Sequence, residues 1–437
     1  MSDCYVLVSP VIRVIRGKDQ FTYRSTAALV KGQLVMIPWR NSSVLGVVQD
    51  NNVTPYPTAK WIETVLPDKL PEPYNNFLHW LADHYEISLS SAYLACLPQF
   101  HKKKALKTAP QPVLPRALVI QKKRQAVIQQ VVDTVVSLQS SSTILYQRSN
   151  EAAAVVLGLI KHVKGPVVII CPDHTQIAYW SGVVAQYHPL VVEAKHKDTI
   201  QSAWQVLVNH QPGVLIGTKR LSLLPLTEAT RVIVLDPENS AHEQWDMKPR
   251  YHVQTVVDKQ TYAVYLSMAP RTEQVAHQPI VTALLTEDYL PKITTIASSP
   301  GVLFAPGVLA AMAEATHVVL WHNRTVNVID KTIKQMFPDK TIIVGTTALF
   351  NKLDWSTIDT VIATSLDAQL TLPDYRSHET TLQQLIWLRN RVARLYIQTY
   401  APDHPVIQAL HQPYPEQWYK QTLRERKRFH YPPYVLI

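Results

Sequence analysis

The sequence predicts an α/β protein: a small β-rich N-terminal domain followed by two parallel-sheet lobes. Three observations carry this. Tyr5–Ile12, Phe21–Tyr23, Gln33–Trp39 and Val44–Val48 are short β-rich runs with polar turns between them, the spacing of a compact β domain. From Ala117 onward, apolar runs alternate with helix-periodic ones, as in parallel strands joined by covering helices. After a weakly patterned region, residues 271–300, the alternation begins again.

Taken in order, Pro71 and Pro73 end the β region and start a helix. Tyr74, Phe77, Leu78, Leu81 and Tyr85 fall at helical spacing and are expected to pack inward. The first domain, residues 1–100, closes near Pro98. Residues 101–116, HKKKALKTAPQPVLPR, read as a basic, proline-rich linker. Such a charge run is a solvated segment in the plain reading and a phosphate contact in the sharper one. The first lobe, residues 117–275, is expected to hold a helix Lys122–Leu138, a strand Thr143–Tyr146 and a helix Glu151–His162. Strand Val167–Cys171, helix Gln176–Gln186, strand Leu190–Val192 and helix Thr199–Asn209 follow, and strand Tyr262–Leu266 comes last. The second lobe, residues 276–437, is expected to hold helix Pro306–Ala315, strand His317–Trp321, an apolar run Val326–Ile329 and helix Lys331–Phe337. Strands Thr341–Val344 and Thr360–Ala363, helix His378–Val392 and strand Arg394–Gln398 complete it. A basic helical tail, Gln417–Tyr434, ends in Tyr431–Pro432–Pro433–Tyr434.

Composition bounds the function. The 437 residues carry a net charge of +10, which favours an anionic partner, nucleic acid first. Cys4, Cys96 and Cys171 are too scattered for a disulfide framework or a zinc cluster. No run approaches the roughly 18 apolar residues of a membrane span, and no signal pattern opens the chain, so a cytoplasmic location is expected. Only 11 glycines occur, against a usual share of about 7%. Phosphate-cradling loops need glycine for close backbone approach, so few places could hold one.

The stretch Val214–Tyr251 is central. It reads as strand Val214–Ile216, a turn Gly217–Arg220, strand Val232–Leu235, and a break at Asp236–Pro237–Glu238–Asn239. An acid at the carboxyl end of a buried parallel strand is where a nucleotide-binding sheet holds its metal. The alternative is that Asp236 caps the next element.

The residues as a set resemble the primosomal protein N′ family, the PriA-type replication-restart helicases. Phe21–Arg24 (FTYR), Leu34–Trp39, Leu45–Asp50, Lys60–Leu66 and Tyr74–Pro98 resemble the family's 3′-end DNA-binding domain. Ile216–Leu226 and Leu235–Val253 resemble segments of its first helicase lobe. Ile342–Trp355, Leu372–Leu385, Ile397–Leu410 and Arg426–Tyr434 resemble segments of its second. The resemblance implies that both lobes are RecA-like.

Departures from the family pattern shape the expected function. Where the family has a phosphate loop of the form GxxGSGKT, this chain reads YQRSNE, Tyr146–Glu151, without glycine or lysine. The lysine neutralises the β- and γ-phosphates and the following hydroxyl holds magnesium. The acid box DEEH is reduced to Asp236 and Glu238. The family's arginine-finger motif has become LIWLRNRVAR, with Arg389 and Arg391 nearby. On this resemblance, neither the family's zinc insertion nor its C-terminal domain is expected in this protein.

The resemblance therefore implies a DNA-binding protein of replication restart that recognises branched or single-stranded DNA without ATP-driven unwinding, with no catalytic residues, no zinc and no other cofactor. Its partners would be DNA (a fork, a 3′ end or a single strand) and replication-restart proteins. The residues matching the family's 3′-end pocket are Phe21, Thr22, Tyr23, Arg40 and Lys60. The family has an aspartate where Thr22 stands and a glycine where Arg40 stands. A β-core role is the competing reading for one of Phe21 and Tyr23. Lys219, Arg220 and Lys352 match positions near DNA. Two alternatives stay open: an active 3′–5′ helicase using ATP and magnesium at a rebuilt site with Asp236 and Glu238, and an interaction scaffold that binds no DNA.

Overall fold

The computed structural model describes residues 4–51, 53–98, 118–193, 197–322, 326–349 and 353–435. The linker 101–116 and Lys352 lie outside the described residues. The chain divides into two compact units. One comprises Met1–Leu118, Val136–Ser141 and Val156–Tyr265, the other Val119–Val135, Ser142–Val155 and Leu266–Ile437.

The first unit begins with six strands: β1 (Cys4–Pro10), β2 (Phe21–Ser25), β3 (Gln33–Trp39), β4 (Ser42–Asp50), β5 (Lys60–Trp61) and β6 (Thr64–Lys69). Their order in the sheet is β5-β2-β1-β4-β3-β6. The two edge strands follow one another in the chain, so the sheet curls. The Tyr23 hydroxyl donates to the Pro38 carbonyl at 3.4 Å, and Phe21 meets Trp39 edge-on at 4.8 Å. Alternate residues point to one face, and Val6, Val8, Tyr23, Val35, Ile37 and Val48 fill the inside. Strands β5 and β6 were not expected. Both are largely exposed, β5 is very short and β6 contains Pro67, so neither shows an apolar alternation.

Helices Glu72–His84 and Leu89–Cys96 follow. Tyr74, Phe77, Leu78 and Leu81 are buried as their spacing predicts. The Ser88 side chain caps the second helix by accepting from Ser91 N at 3.1 Å. The lobe strands are β7 (Ser142–Leu145), β8 (Pro166–Ile170), β9 (Leu190–Val192), β10 (Gly213–Gly217), β11 (Arg231–Leu235) and β12 (Ala263–Ser267). Within the first unit β11, β8, β10 and β9 lie side by side, all parallel. One core runs from the N-terminal helices into this sheet. Tyr74 packs edge-on against Trp204 at 5.3 Å, and its hydroxyl donates to the Leu223 carbonyl at 2.6 Å.

In the second unit, β7 pairs in parallel with β13 (Ile280–Val281). A second sheet comprises β14 (Lys292–Ala297), β15 (His317–Trp321), β16 (Thr341–Gly345), β17 (Thr360–Ala363) and β18 (Arg394–Thr399), ordered β14-β18-β17-β15-β16. Its described ladders are all parallel. The chain is thus a mixed α/β protein with a β-rich domain followed by parallel-sheet lobes, as the sequence predicts. Two details differ. Val326–Met336 is one helix rather than an apolar run ahead of a helix; Ile329, Ile333 and Met336 fall on one helical face, and Ile329 and Ile333 are buried. The weakly patterned region hides β14, an edge strand whose burial is only partial.

Candidate nucleic-acid interface

The N-terminal candidates lie on β2, on β5 and at the β3–β4 turn. The register of β2 against β5 sets Tyr23 opposite Lys60. Phe21 and Tyr23 are two residues apart on a strand and so share a face. Tyr23 is buried in the domain core, and Phe21 is half-buried at its edge against Trp39. Burial pushes the Tyr23 hydroxyl's pKa up. Arg40 follows Trp39 directly and is exposed at the β3–β4 turn, in a left-handed conformation with φ of 53°. Lys60 is exposed and Thr22 half-buried. A partly exposed ring face can stack on a base, and an exposed lysine or arginine can pair with a phosphate.

Sequence reasoning missed Arg24 and Trp61. The Arg24 guanidinium lies 5.6 Å from the Tyr5 ring centroid and 5.8 Å from that of Trp61, and it bonds to the Pro57 carbonyl. Trp61 is 44% exposed, unusual for so large an apolar ring. The alternation of FTYRS already placed Arg24 beside Thr22 on the outer face. Only the β2–β5 pairing, Arg24 opposite Trp61, showed which aromatic it meets.

The Gly217 turn sits at the carboxyl end of β10. A Cβ on Gly217 would come 2.6 Å from the Val192 carbonyl oxygen, so the close strand approach requires glycine. Lys219 and Arg220 are half-buried. Lys219 Nζ donates to the Glu243 carbonyl at 2.8 Å, and Arg220 reaches the Cys96 carbonyl at 3.4 Å. Both side chains therefore brace the first unit.

Asp236 directly follows β11, buried, with φ of 47°. Its carbonyl accepts from Asn239 N at 2.9 Å, closing a turn over Pro237 and Glu238. The side-chain cap of the following short helix comes from Asn239, which accepts from Ala241 N at 2.9 Å. Cys171, at the end of the neighbouring strand, has its thiol pKa pushed well up by burial and then by the charges of Asp236 and Asp173.

The YQRSNE segment is a tight turn from β7 into helix Ser149–Lys161. Both Glu151 N and Ala152 N are bonded to the Arg148 carbonyl, at 3.0 and 3.2 Å. Gln147 Oε1 accepts from Thr286 N at 2.8 Å. The Glu151 carboxylate is buried and clasped by Arg124 through Nε at 2.7 Å and a terminal nitrogen at 2.9 Å. The Tyr289 hydroxyl donates to the same carboxylate at 3.0 Å. Arg124 also donates to the Leu284 carbonyl at 2.7 Å, and Arg148 lies 3.8 Å from the Tyr289 ring centroid. The bond to Glu151 raises the Arg124 pKa, while burial first, and then Glu151, raises that of Tyr289. The anionic place at this helix N-terminus is filled from within the chain, where the helix dipole favours negative charge.

Arg389 is buried and donates to the carbonyls of Leu410, Gln412 and Pro413 at 2.7, 2.7 and 3.3 Å. Arg391 lies 3.5 Å from the Trp387 ring centroid and contacts Met268 Sδ at 3.0 Å. Among the described residues, no helix is long and apolar enough to cross a membrane.

Residues 11–98 match the family described as the PriA 3′DNA-binding domain. The chain is 37% identical over 99 residues to the replication restart protein PriA of Synechocystis, a match covering 21% of this chain and 12% of that protein. It is 34% identical over 102 residues to its Bacillus subtilis namesake, covering 22% and 13%. The chain therefore matches a small part of these relatives' length. Among solved structures, yeast Dbp5 bound to RNA and ADP BeF3 is similar at 11% identity and a TM-score of 0.39, covering 69% of this chain and 92% of that one. Mycobacterium smegmatis Lhr bound to ssDNA and AMP-PNP is similar at the same identity and TM-score, covering 68% and 48%. The N-terminal hundred residues are thus similar to the 3′DNA-binding domain of PriA-type replication restart proteins.

Proposed function

We propose that this protein binds DNA through its N-terminal domain, at single-stranded ends or branches arising in replication restart, and does so without ATP-driven unwinding. The observation that carries the first half is the coincidence of two facts. The family match covers residues 11–98, and within that span Lys60 stands opposite Tyr23 in the β2–β5 ladder and Phe21 packs edge-on against Trp39, which Arg40 directly follows. Arg40 and Thr22 replace a glycine and an aspartate of the family pattern. Loss of an acid acceptor and gain of a cation favour phosphate contact over selection for the terminal hydroxyl.

The second half is supported by the donor set at Tyr146–Glu151, which does not fit the phosphates of a nucleotide. A buried carboxylate stands where an anion would have to bind, the first-turn amides are bonded to Arg148, and Arg124 is committed to Glu151. No lysine is present in the segment. Arg389, held by carbonyls, serves as a strut in this reading.

Fork DNA with a 3′ end should bind in a gel-shift or anisotropy assay, with a log-affinity that falls steeply against log salt. Lys60→Glu should weaken it roughly tenfold or more. Binding that is indifferent to salt and to Lys60→Glu would sink the DNA reading. DNA-stimulated phosphate release that disappears in Asp236→Asn would sink the claim that unwinding is lost.

A further inference from the structure

The C-terminal helix Glu416–Arg428 is sharply two-sided. Trp418, Tyr419 and Arg426 are buried. The Tyr419 hydroxyl donates to the Pro270 carbonyl at 2.8 Å, and Arg426 is clamped between Glu379 and Glu273. The helix is therefore fixed to its unit on one side. On the other side Lys420, Arg424, Lys427 and Arg428 are all exposed. They fall at i, i+4, i+7 and i+8, one continuous stripe on a helix. Lys420 is partly neutralised by Glu416 at 2.6 Å.

The stripe runs into exposed rings. Phe429 is 58% exposed, Tyr431 38% and Tyr434 42%. Arg428 lies 5.4 Å from the Phe429 ring centroid, and Tyr431 stacks on Tyr375 at 4.8 Å and 12°. Beside them is a cavity of about 210 Å³ lined by Tyr375, Phe429 and Tyr431, by the exposed carboxylates Asp374 and Glu425, and by the Glu379–Arg426 pair.

Each part suits one portion of a nucleotide chain. Aromatic faces stack on bases regardless of sequence. Carboxylates repel phosphate and accept hydrogen bonds from the amino edges of bases. A row of lysine and arginine tracks a phosphate backbone. The buried acids Glu379 and Glu273 are neutralised by Arg426 together with Arg271 and Arg376 and leave the stripe's charge intact.

We propose that this helix and the rings after it form a second DNA-binding surface, one that takes single-stranded DNA internally and needs no 3′ end. Bases enter the Tyr375–Tyr431 cavity and the backbone lies along Arg424, Lys427 and Arg428. The proposal rests on the reading above only for the choice of DNA as ligand.

The test uses the full chain and two labelled probes: a single-stranded DNA circle, which has no end, and a fork with a free 3′ end. The triple variant Arg424→Ala/Lys427→Ala/Arg428→Ala should flatten the salt slope for the circle by about 2, at roughly 0.7 per phosphate contact on a single strand. Phe429→Ala/Tyr431→Ala should weaken circle binding roughly tenfold. Arg424→Lys/Arg428→Lys should keep the slope, which separates charge from folding defects. Lys60→Glu should weaken the fork more than it weakens the circle. A circle bound equally well by parent and triple variant overturns the second surface and leaves the N-terminal reading standing, and so does a fork bound without any circle binding. If neither probe binds, the N-terminal reading fails and takes the second surface with it.

Discussion

Arg124 holds both carboxylate oxygens of Glu151, at 2.7 and 2.9 Å, under the turn where a phosphate loop would lie. The pair is nearly out of solvent, with side chains 12% and 4% exposed. Removing one partner leaves a buried charge uncompensated, a loss of about 3–5 kcal/mol. Arg124→Ala and Glu151→Ala should each lower the urea midpoint strongly, and the double variant should lose much less than the sum. A strictly additive double-mutant cycle would show that the two groups act separately.

Arg389 supplies donors to Leu410, Gln412 and Pro413 carbonyls. Burial pulls its pKa down to about 10, still charged at neutral pH. Arg389→Ala should destabilise the second unit by about 3 kcal/mol, since hydrogen bonds from a charged donor are worth about 1.5–3 kcal/mol each. Arg389→Lys should recover only part of this, because an ammonium cannot reproduce the guanidinium fork. Thermal unfolding that is identical for Arg389 and Arg389→Ala would remove the strut role.

Cys96 is fully buried, and burial pushes its thiol pKa up to about 12 from 9.0. The unfolded chain ionises above about pH 9 while the folded chain keeps the proton. This group's stabilisation is thus complete below pH 9 and is lost as pH rises through 12. The slope it contributes in that window is about 1.4 kcal/mol per pH unit. Cys96→Ala should flatten alkaline destabilisation between pH 9 and 12 by about one proton, read from unfolding midpoints at each pH. An unchanged slope would mean the folded thiol titrates normally.

Gly217 ends β10 with the Val192 carbonyl oxygen so close that an added Cβ would sit 2.6 Å away. A backbone atom cannot swing aside, so Gly217→Ala should cost about 1–3 kcal/mol by overpacking. Hydrogen exchange should show β9 and β10 loosening first. Gly213→Ala is the control, since nothing lies within 4 Å of its added Cβ.

Much of the fold was legible because its signals are local. Period-two apolar runs placed β1 to β4, and helical spacing placed Tyr74, Phe77, Leu78 and Leu81 on a buried face. Buried parallel strands such as Val232–Leu235 read as continuous apolar runs. The segment resemblance over the N-terminal domain agrees with the match at residues 11–98. Strands β5, β6 and β14 were not legible, because exposed or edge strands take their identity from a ladder partner distant in sequence.

The sequence by itself determined the order of the buried elements, the basic charge and the missing glycine–lysine loop chemistry at Tyr146–Glu151. Only the tertiary structure decided which groups meet. It set Lys60 opposite Tyr23 and Arg24 beside Trp61, and it tied Lys219 and Arg220 to carbonyls far along the chain. It also filled the loop position with Arg124, Glu151 and Tyr289, from three separate segments. The physical reason is that periodicity and composition act over a few residues, whereas ion pairs, ring contacts and parallel ladders join residues whose proximity exists only after the chain has closed its loops.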